Sequence, residues 1–358
     1  MNYYTRVTRG IILTFGAGAA SLADQYNCLY RAGIKENSRK TKMNRHLAQP
    51  ARLFRAVVIY LLSILAGTLA LQSVSQAEGA TNSPLADAEI ENIVRRSYQY
   101  VAMFNVNNKF AMKQGGWNIC EADTQLKDHT MRQIARPNND TLYISCLLDL
   151  RLEPVVLKLP AFDSDYVSLM NTGYDHYVNI PMSTRQGDFD KPETMLIYSA
   201  RTEGYKGEPV EGVDRYFEAT GDFISAVLRI MPHANEPERF QRIVKQMEAV
   251  TVSTLSEFRG GAAKAVGDPE SPAVGQRDAD IFENNLLEVM QFVFNHTTFD
   301  PENELDKEIL AAYEPLGVVP GQTYDSAGVV ALDGSKLRQI AEQVFSEEVS
   351  KATDAAFY

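Results

Sequence analysis

The stretch Arg136-Pro-Asn-Asn-Asp-Thr-Leu-Tyr-Ile-Ser-Cys-Leu-Leu-Asp-Leu150 sets an arginine, two asparagines, an aspartate and a threonine directly ahead of an alternating apolar run. A second polar group follows at Asp175, His176, Tyr177 and Asn179, and Arg185 lies beyond it just before Gly187. Brought to one rim, a carboxylate, an imidazole, phenols and a guanidinium could hold a polar ligand such as a sugar or a carboxylate, with Arg185 as a bidentate clamp. The candidate ligand-binding residues are Asn138, Asn139, Asp140 and Tyr143 from the first group. Asp175, Tyr177, Asn179 and Arg185 complete the set. Asp140 and His176 are the candidates for catalysis, with Asp140 acting as general base or orienting the imidazole.

Each of these residues also has a plainer role. Asn and Asp ahead of a strand form turns, because their side chains accept from backbone N–H groups two residues on, and Pro137 fixes φ before them. Asp175 and His176 adjoin in a strand-like stretch and so point to opposite faces, which excludes a dyad between them. No Gly-x-Ser-x-Gly elbow is present for a serine nucleophile. There is no His-x-x-x-His pair or cysteine ligand set, and Asp163-Ser-Asp165 is too short for a calcium loop, so no metal site is expected. His129, His233 and His296 stand apart in sequence, and His296, near a helix end, reads as a dipole partner. Phe282, Phe292 and Phe294 read as core or interface rather than as a cofactor box, and no cofactor is expected.

The elements that must position these groups follow from periodicity. Ala86 to Phe104 carries apolar residues at helical spacing. From Thr141 the period becomes two: Leu142, Ile144, Cys146 and Leu148 face one way, Tyr143, Ser145 and Asp149 the other. Short strands are expected again at Pro154–Pro160, Asp165–Met170, Tyr174–Ile180 and Met195–Ser199, separated by turn residues. Helical spacing returns through Val213, Phe217, Ile224, Val227 and Leu228, and again from Asn235 and Pro237 through Met247 and Leu255. Residues 259–276 read as a flexible connection rich in Gly, Ala and Pro. Further helices are expected over Asp280–Asn295, Glu304–Tyr313 and from a Ser335 cap through Phe345.

The chain has 358 residues, 45% hydrophobic and 23% charged, which suffices for a large core. From Met43 it shows a basic opening (Arg45, Arg52, Arg55), an apolar run from Ala56 to Leu71, then Ser75-Gln-Ala77, the order a secretory signal peptide requires. Cleavage is expected after Ala77, with translation starting at Met43 and residues 1–42 an upstream extension. The alternative is an uncleaved anchor at residues 56–71 in the inner membrane, although that run is shorter than a spanning helix needs. Without residues 1–77 the chain keeps 25 Lys+Arg against 44 Asp+Glu, a net charge of −19. Such a surface repels phosphate backbones, so nucleic acid is excluded as a partner. Cys120 and Cys146 remain, a pair that could bridge in an oxidising compartment, while Cys146 alone also suits a strand core.

At Arg136–Tyr143 the sequence resembles a known family. That block, with Leu148-Asp-Leu150, Glu153-Pro-Val-Val156 and Asp165-Tyr-Val-Ser-Leu169, is similar to the core of the secreted bacterial family called domain of unknown function 1254. Ser183-Thr-Arg-Gln-Gly187 and Gly317-Val-Val-Pro-Gly321 stand where that family has a Gly-x-Arg-Thr-x-Gly loop and an Ile-Gly-x-x-Pro-Gly turn. The likeness covers most of residues 90 to 345 and is dense from Arg136 to Gly187. It implies a β-sandwich flanked by helices and brings no established mechanism. Many relatives carry a second sandwich, domain of unknown function 1214, for which this chain leaves no room before Tyr358. The expectation is that the chain works alone, by self-association, or with a separate chain of that second type.

The expected fold is therefore α+β: an antiparallel β-sandwich, jelly-roll-like, flanked by a helical subdomain. Residues 43–77 form the leader, 78–135 an N-terminal helix and connection, 136–210 the sandwich and 211–358 the helical region. The expected function is an exported ligand-binding or assembly module; the rival is a hydrolase or lyase acting on a polar small molecule or glycan through Asp140, His176, Tyr177 and Arg185. Cleavage after Ala77 predicts a mature chain whose first residue is Glu78, readable by N-terminal sequencing of the exported protein.

Overall fold

The computed structural model describes residues 85–128, 140–264, 269–326 and 331–356. The expected leader, its cleavage point and the alternative anchor lie outside the described residues, as do Asn138, Asn139 and His129. Among the described residues, no helix is long and apolar enough to cross a membrane.

Nine strands are described: β1 (Ile119–Asp123), β2 (Leu142–Asp149), β3 (Val155–Leu159), β4 (Val167–Thr172), β5 (Val178–Ser183), β6 (Glu193–Ser199), β7 (Arg215–Ala219), β8 (Phe223–Ile230) and β9 (Thr251–Thr254). They form one antiparallel sheet in the order β1-β2-β8-β4-β5 and a second in the order β7-β6-β3-β9, where only β6 and β7 run parallel. The helices are α1 (Asp87–Gln114), α2 (Pro237–Glu248), α3 (Leu255–Phe258), α4 (Asp278–Asn284), α5 (Leu286–Asn295), α6 (Glu304–Tyr313) and α7 (Gly334–Ala356). The α+β class and the helix-flanked sandwich hold.

Strand alternation sorts the side chains into layers. Leu142, Ile144, Cys146 and Leu148 of β2 meet Val155, Leu157 and Leu159 of β3 between the sheets. The other face of β2 and β8, through Tyr143, Leu147, Phe223 and Val227, packs on Phe104, Phe282, Phe294 and Tyr313 of the helices. Each large apolar side chain so buried contributes about 2 kcal/mol. α2 lends Ile243 and Met247 to the inter-sheet core.

α1 runs ten residues beyond the expected Phe104 because its late asparagines bond sideways. Asn105 donates to Asp278 Oδ1 at 2.7 Å and accepts from the Gly275 N–H at 3.1 Å, and Asn108 donates to the Tyr174 hydroxyl at 3.0 Å. The helix stops at Gly115, φ 94°, where the Gly116 N–H reaches Ala111 O at 2.8 Å.

Several expectations are corrected. The helix expected through Val213–Leu228 is β7 and β8, so strands of the sandwich extend well past residue 210. β8 is buried on both faces, and a run of consecutive apolar residues satisfies a helical template as easily as a strand. The strand expected at Tyr174 begins only at Val178, because Tyr174 and Asp175 form a turn closed by the His176 N–H on Gly173 O at 3.1 Å. The single helix over Asp280–Asn295 breaks at Asn285, φ −153° and ψ 34°, whose side chain donates to Ala273 O at 2.8 Å. The cap of α7 is Asp333, accepting from the N–H groups of Ser335 and Lys336 at 3.0 and 3.2 Å, not Ser335. At Gly334 a Cβ would stand 2.1 Å from Glu283 O, so only glycine lets α7 start against α4. In the connection expected to be flexible, Gly275 and Gln276 are held by Asn105 and Lys109.

Cys120 and Cys146 face each other across β1 and β2, with Cα atoms 4.1 Å apart, and are disulfide-bonded. Replacing both by serine should lower stability by about 3 kcal/mol, read as a lower urea midpoint, with a slope no smaller than that of the bridged protein because the freed unfolded chain is less compact.

Candidate functional site

Strand register separates the residues that sequence reasoning had grouped. Leu142, two residues after Asp140, pairs with Ile230 at one end of β8, and Asp140 is exposed there. Val178, next to Tyr177, pairs with Thr172, which pairs with Ser225 near the other end. At ~3.3 Å per residue Asp140 and Tyr177 lie roughly 25 Å apart along the strand direction. Arg185, exposed on the 3-10 turn after β5, shares the Asp140 end, but β5 stands three strand spacings from β2, roughly 14 Å. The single rim expected to hold Asp140, Tyr177 and Arg185 does not form. Tyr143 is buried on the helix-facing side at 2% exposure, beneath the Arg229 guanidinium, whose Cζ is 5.6 Å from its ring centroid.

The Phe223 end does gather polar groups. The Thr220 hydroxyl donates to Asp175 Oδ2, and the Tyr177 N–H donates to Asp175 Oδ1 at 3.1 Å. The Thr220 N–H donates to Asn179 Oδ1 at 2.7 Å, and the Tyr177 hydroxyl donates to Asp306 Oδ1 of α6 at 3.0 Å. Asp175, Tyr177 and Asn179 thus come together, but as a tie between the sheet and α6. Burial pushes the Asp175 carboxyl up to about 6 against the hydrogen bonds from Thr220 and Tyr177, with the Asp306 charge adding to the rise. Burial likewise lowers His176 to about 4, and this residue sits at φ 66° with 6% exposure. A histidine so enclosed suits packing better than proton exchange with a ligand.

Beside this tie stands a cluster that sequence reasoning missed. Asp222, immediately before β8, is 2% exposed. It accepts from the Ser199 hydroxyl at 2.6 Å, from Arg201 Nε at 2.9 Å and from His296 Nδ1 at 2.8 Å. Burial alone would raise this carboxyl, but the hydrogen bonds from His296, Arg201 and Ser199 and the Arg201 charge hold it below the usual carboxylate range. An ionised Asp222 can only accept, so the His296 Nδ1–H donates to it, and the imidazole keeps part of its surface exposed. His296 is also the C-cap of α5, the helix-end position expected for it. Arg151 forks onto Asp149 through Nε and Nη2, the latter at 2.8 Å from Oδ2, with its Cζ 5.0 Å from the Phe223 centroid. The Phe223 ring also meets His296 edge-on at 5.0 Å and Trp117 at 4.7 Å. Arg201 Nη1 donates to the Thr298 hydroxyl at 2.8 Å. Arg151 Nη1, Arg201 Nη2 and His296 Nε2 thus remain for a ligand, above the buried Phe223 ring on which all of Arg151, His296 and Trp117 pack. Only an Asp two residues after Gly-free Glu218-Ala-Thr, with no motif around it, marks Asp222 in sequence. Its partners lie 21 and 74 residues away, a separation that no local pattern reveals. Among the described residues, no group of three or more His, Cys, Asp or Glu is placed to hold a metal ion.

Residues 119–252 match the model of the family described as "Protein of unknown function (DUF1254)". That match bears out the resemblance read from the Arg136–Gly187 motifs. No curated protein matches the chain. Among solved structures, it is similar to the VPA0106 protein from Vibrio parahaemolyticus, with 21% identity over 73% of this chain and 59% of that one, and a TM-score of 0.48. It also matches an uncharacterised protein from Burkholderia cenocepacia, with 14% identity over 47% of this chain and 51% of that one, and a TM-score of 0.23. The chain thus spans less than two thirds of the length of either.

The adjacent Asp175 and His176 set opposite pH dependences. Asp175, raised from 3.8 to about 6, penalises the folded state above pH 6, and the penalty fades as pH falls toward 4. His176, lowered from 6.5 to about 4, supports the folded state above pH 6.5, and that support is lost as pH falls through 4. Each contribution is on the order of 3 kcal/mol at its limit, so the two offset each other across this window. Asp175→Asn should unmask the histidine: its urea midpoint should fall more steeply than wild type between pH 6.5 and 4. A variant whose profile parallels wild type would rule out the buried carboxyl.

Proposed function

Taking residues 119–252 as a DUF1254 region, we propose that the Phe223 end of the sandwich binds a small polar ligand carrying a carboxylate beside hydroxyl groups, the class that includes sugar acids. The observation that carries this reading is the partly exposed imidazole of His296, fixed through Nδ1 by Asp222 at 2.8 Å and flanked by two arginines whose own carboxylates leave donors unused. An arginine hydrogen recognises the ligand carboxylate, His296 Nε2 meets a ligand hydroxyl, and the half-buried Trp117 offers an apolar contact to a sugar ring.

Binding is favoured over hydrolysis by what surrounds the imidazole. Ser199 donates to Asp222 and not to His296, so the hydroxyl nearest the pair is not poised as a nucleophile. The hydrolase reading through Asp140, His176, Tyr177 and Arg185 loses its support, because those groups stand at opposite ends of the sheet and His176 is enclosed. An exported setting is supported by the leader pattern ending at Ala77 and by the Cys120–Cys146 bond, since disulfides persist where thiols are not kept reduced.

Calorimetric titration of the protein with glucuronate and with glucose checks the reading. Glucuronate should bind saturably and glucose much more weakly. His296→Asn keeps a donor for Asp222 and removes the Nε2 position, and should weaken glucuronate about tenfold with little loss of melting temperature. Equal affinity for the two sugars, or an unaffected asparagine variant, would sink the proposal.

A further inference from the structure

Arg229 lies on the central strand β8, on the face toward the helices, because Ile224, Ala226, Leu228 and Ile230 take the opposite face into the sandwich. Its cross-strand partners are Tyr143 on β2 and Ser168 on β4. Among the described residues Arg229 meets no hydrogen-bond acceptor and no carboxylate, and its Nε is buried. The other partly buried arginines behave differently: Arg96, Arg151, Arg215, Arg239 and Arg338 each reach an acidic side chain. The guanidinium is partly buried with no counter-charge among the described residues, and of its neighbours the Tyr143 ring, 5.6 Å from Cζ, relieves this only in part. One of them shares the condition. Ser145, 1% exposed and diagonal to Arg229 on β2, has a buried hydroxyl with no hydrogen-bond partner.

We infer that this face is a second binding site, for a monocarboxylate on an apolar body. The planar fork of Arg229 pairs with a carboxylate through two parallel hydrogen bonds, and the Ser145 hydroxyl adds a third. Met170 and Val227, paired one step further along β4 and β8 on the same face, offer the apolar contact. A dianion such as phosphate fits poorly. Arg229 alone faces it directly, and Glu121 of β1 shares the face about two strand spacings away, roughly 10 Å. The site is separate from the one proposed above, since Arg229 and Phe223 stand six residues apart on one strand, roughly 20 Å.

The experiment titrates the full chain with benzoate, with inorganic phosphate as a control, and measures the melting temperature of each variant. Benzoate should bind with one equivalent to wild type and equally to His296→Asn, which separates this site from the sugar-acid site. Arg229→Met should weaken benzoate at least tenfold while melting at or above the wild-type temperature, because it removes an unmatched cation. Arg229→Lys, which keeps the charge and loses the fork, should fold and bind more weakly than wild type, and it serves if the methionine variant does not fold. The inference is overturned if wild type fails to bind benzoate, if phosphate binds better, or if the lysine and methionine variants bind benzoate as wild type does. A fall of several degrees in the melting temperature of both variants would make Arg229 structural and overturn it equally.

Discussion

Strand β2 is buried at every residue, and β8 beside it at every residue but Arg229. One side of their sheet closes on the second sheet and the other on the helices, so every polar group on either surface needs a partner inside the protein. Thr172 and Ser225 meet this demand by bonding each other at 3.0 Å across β4 and β8. Charged groups gather instead where the strands end. Asp149, Asp175 and Asp222 stand at that boundary, where turns supply N–H groups and arginines reach in from loops. The position of the polar cluster is thus a by-product of burying the sheet twice.

The same constraint decides how much was legible in the sequence. β2, β3, β4 and β6 were readable because turn residues and prolines bound them and their apolar positions recur at period two. α6 was readable to the residue, since Asn303 caps it and its apolar face is clean. β7 and β8 were not, because a strand apolar on both sides loses its alternation. The break at Asn285 was hidden for a related reason, as the helices on either side are both apolar and only one side chain turns to bond a neighbouring loop.

For the site, residue type was legible and convergence was not. Asp175, Tyr177 and Asn179 are tied together through Thr220 and the Tyr177 N–H, whereas Asp140 and Arg185 were joined to them on the assumption that consecutive hairpins meet at one rim. The sheet order β1-β2-β8-β4-β5 defeats that assumption by inserting β8 between β2 and β4. Asp222 and Arg201 escaped notice and His296 was read only as a helix-end partner, because each alone has an ordinary reading, and only folding assembles them. The family match is consistent with this division: it fixes the segment that carries the sandwich and is silent on chemistry.

The ring contact between Trp117 and Phe223 has a practical side. The sequence holds one tryptophan, and it leans at 4.7 Å on the phenylalanine that Arg151 and His296 also touch. Indole emission responds to the polarity and motion of its immediate surroundings, so this chain carries an intrinsic fluorophore at the corner where Arg151, Arg201, Asp222 and His296 meet. Its colour and intensity report on that corner alone, free of background from any other indole.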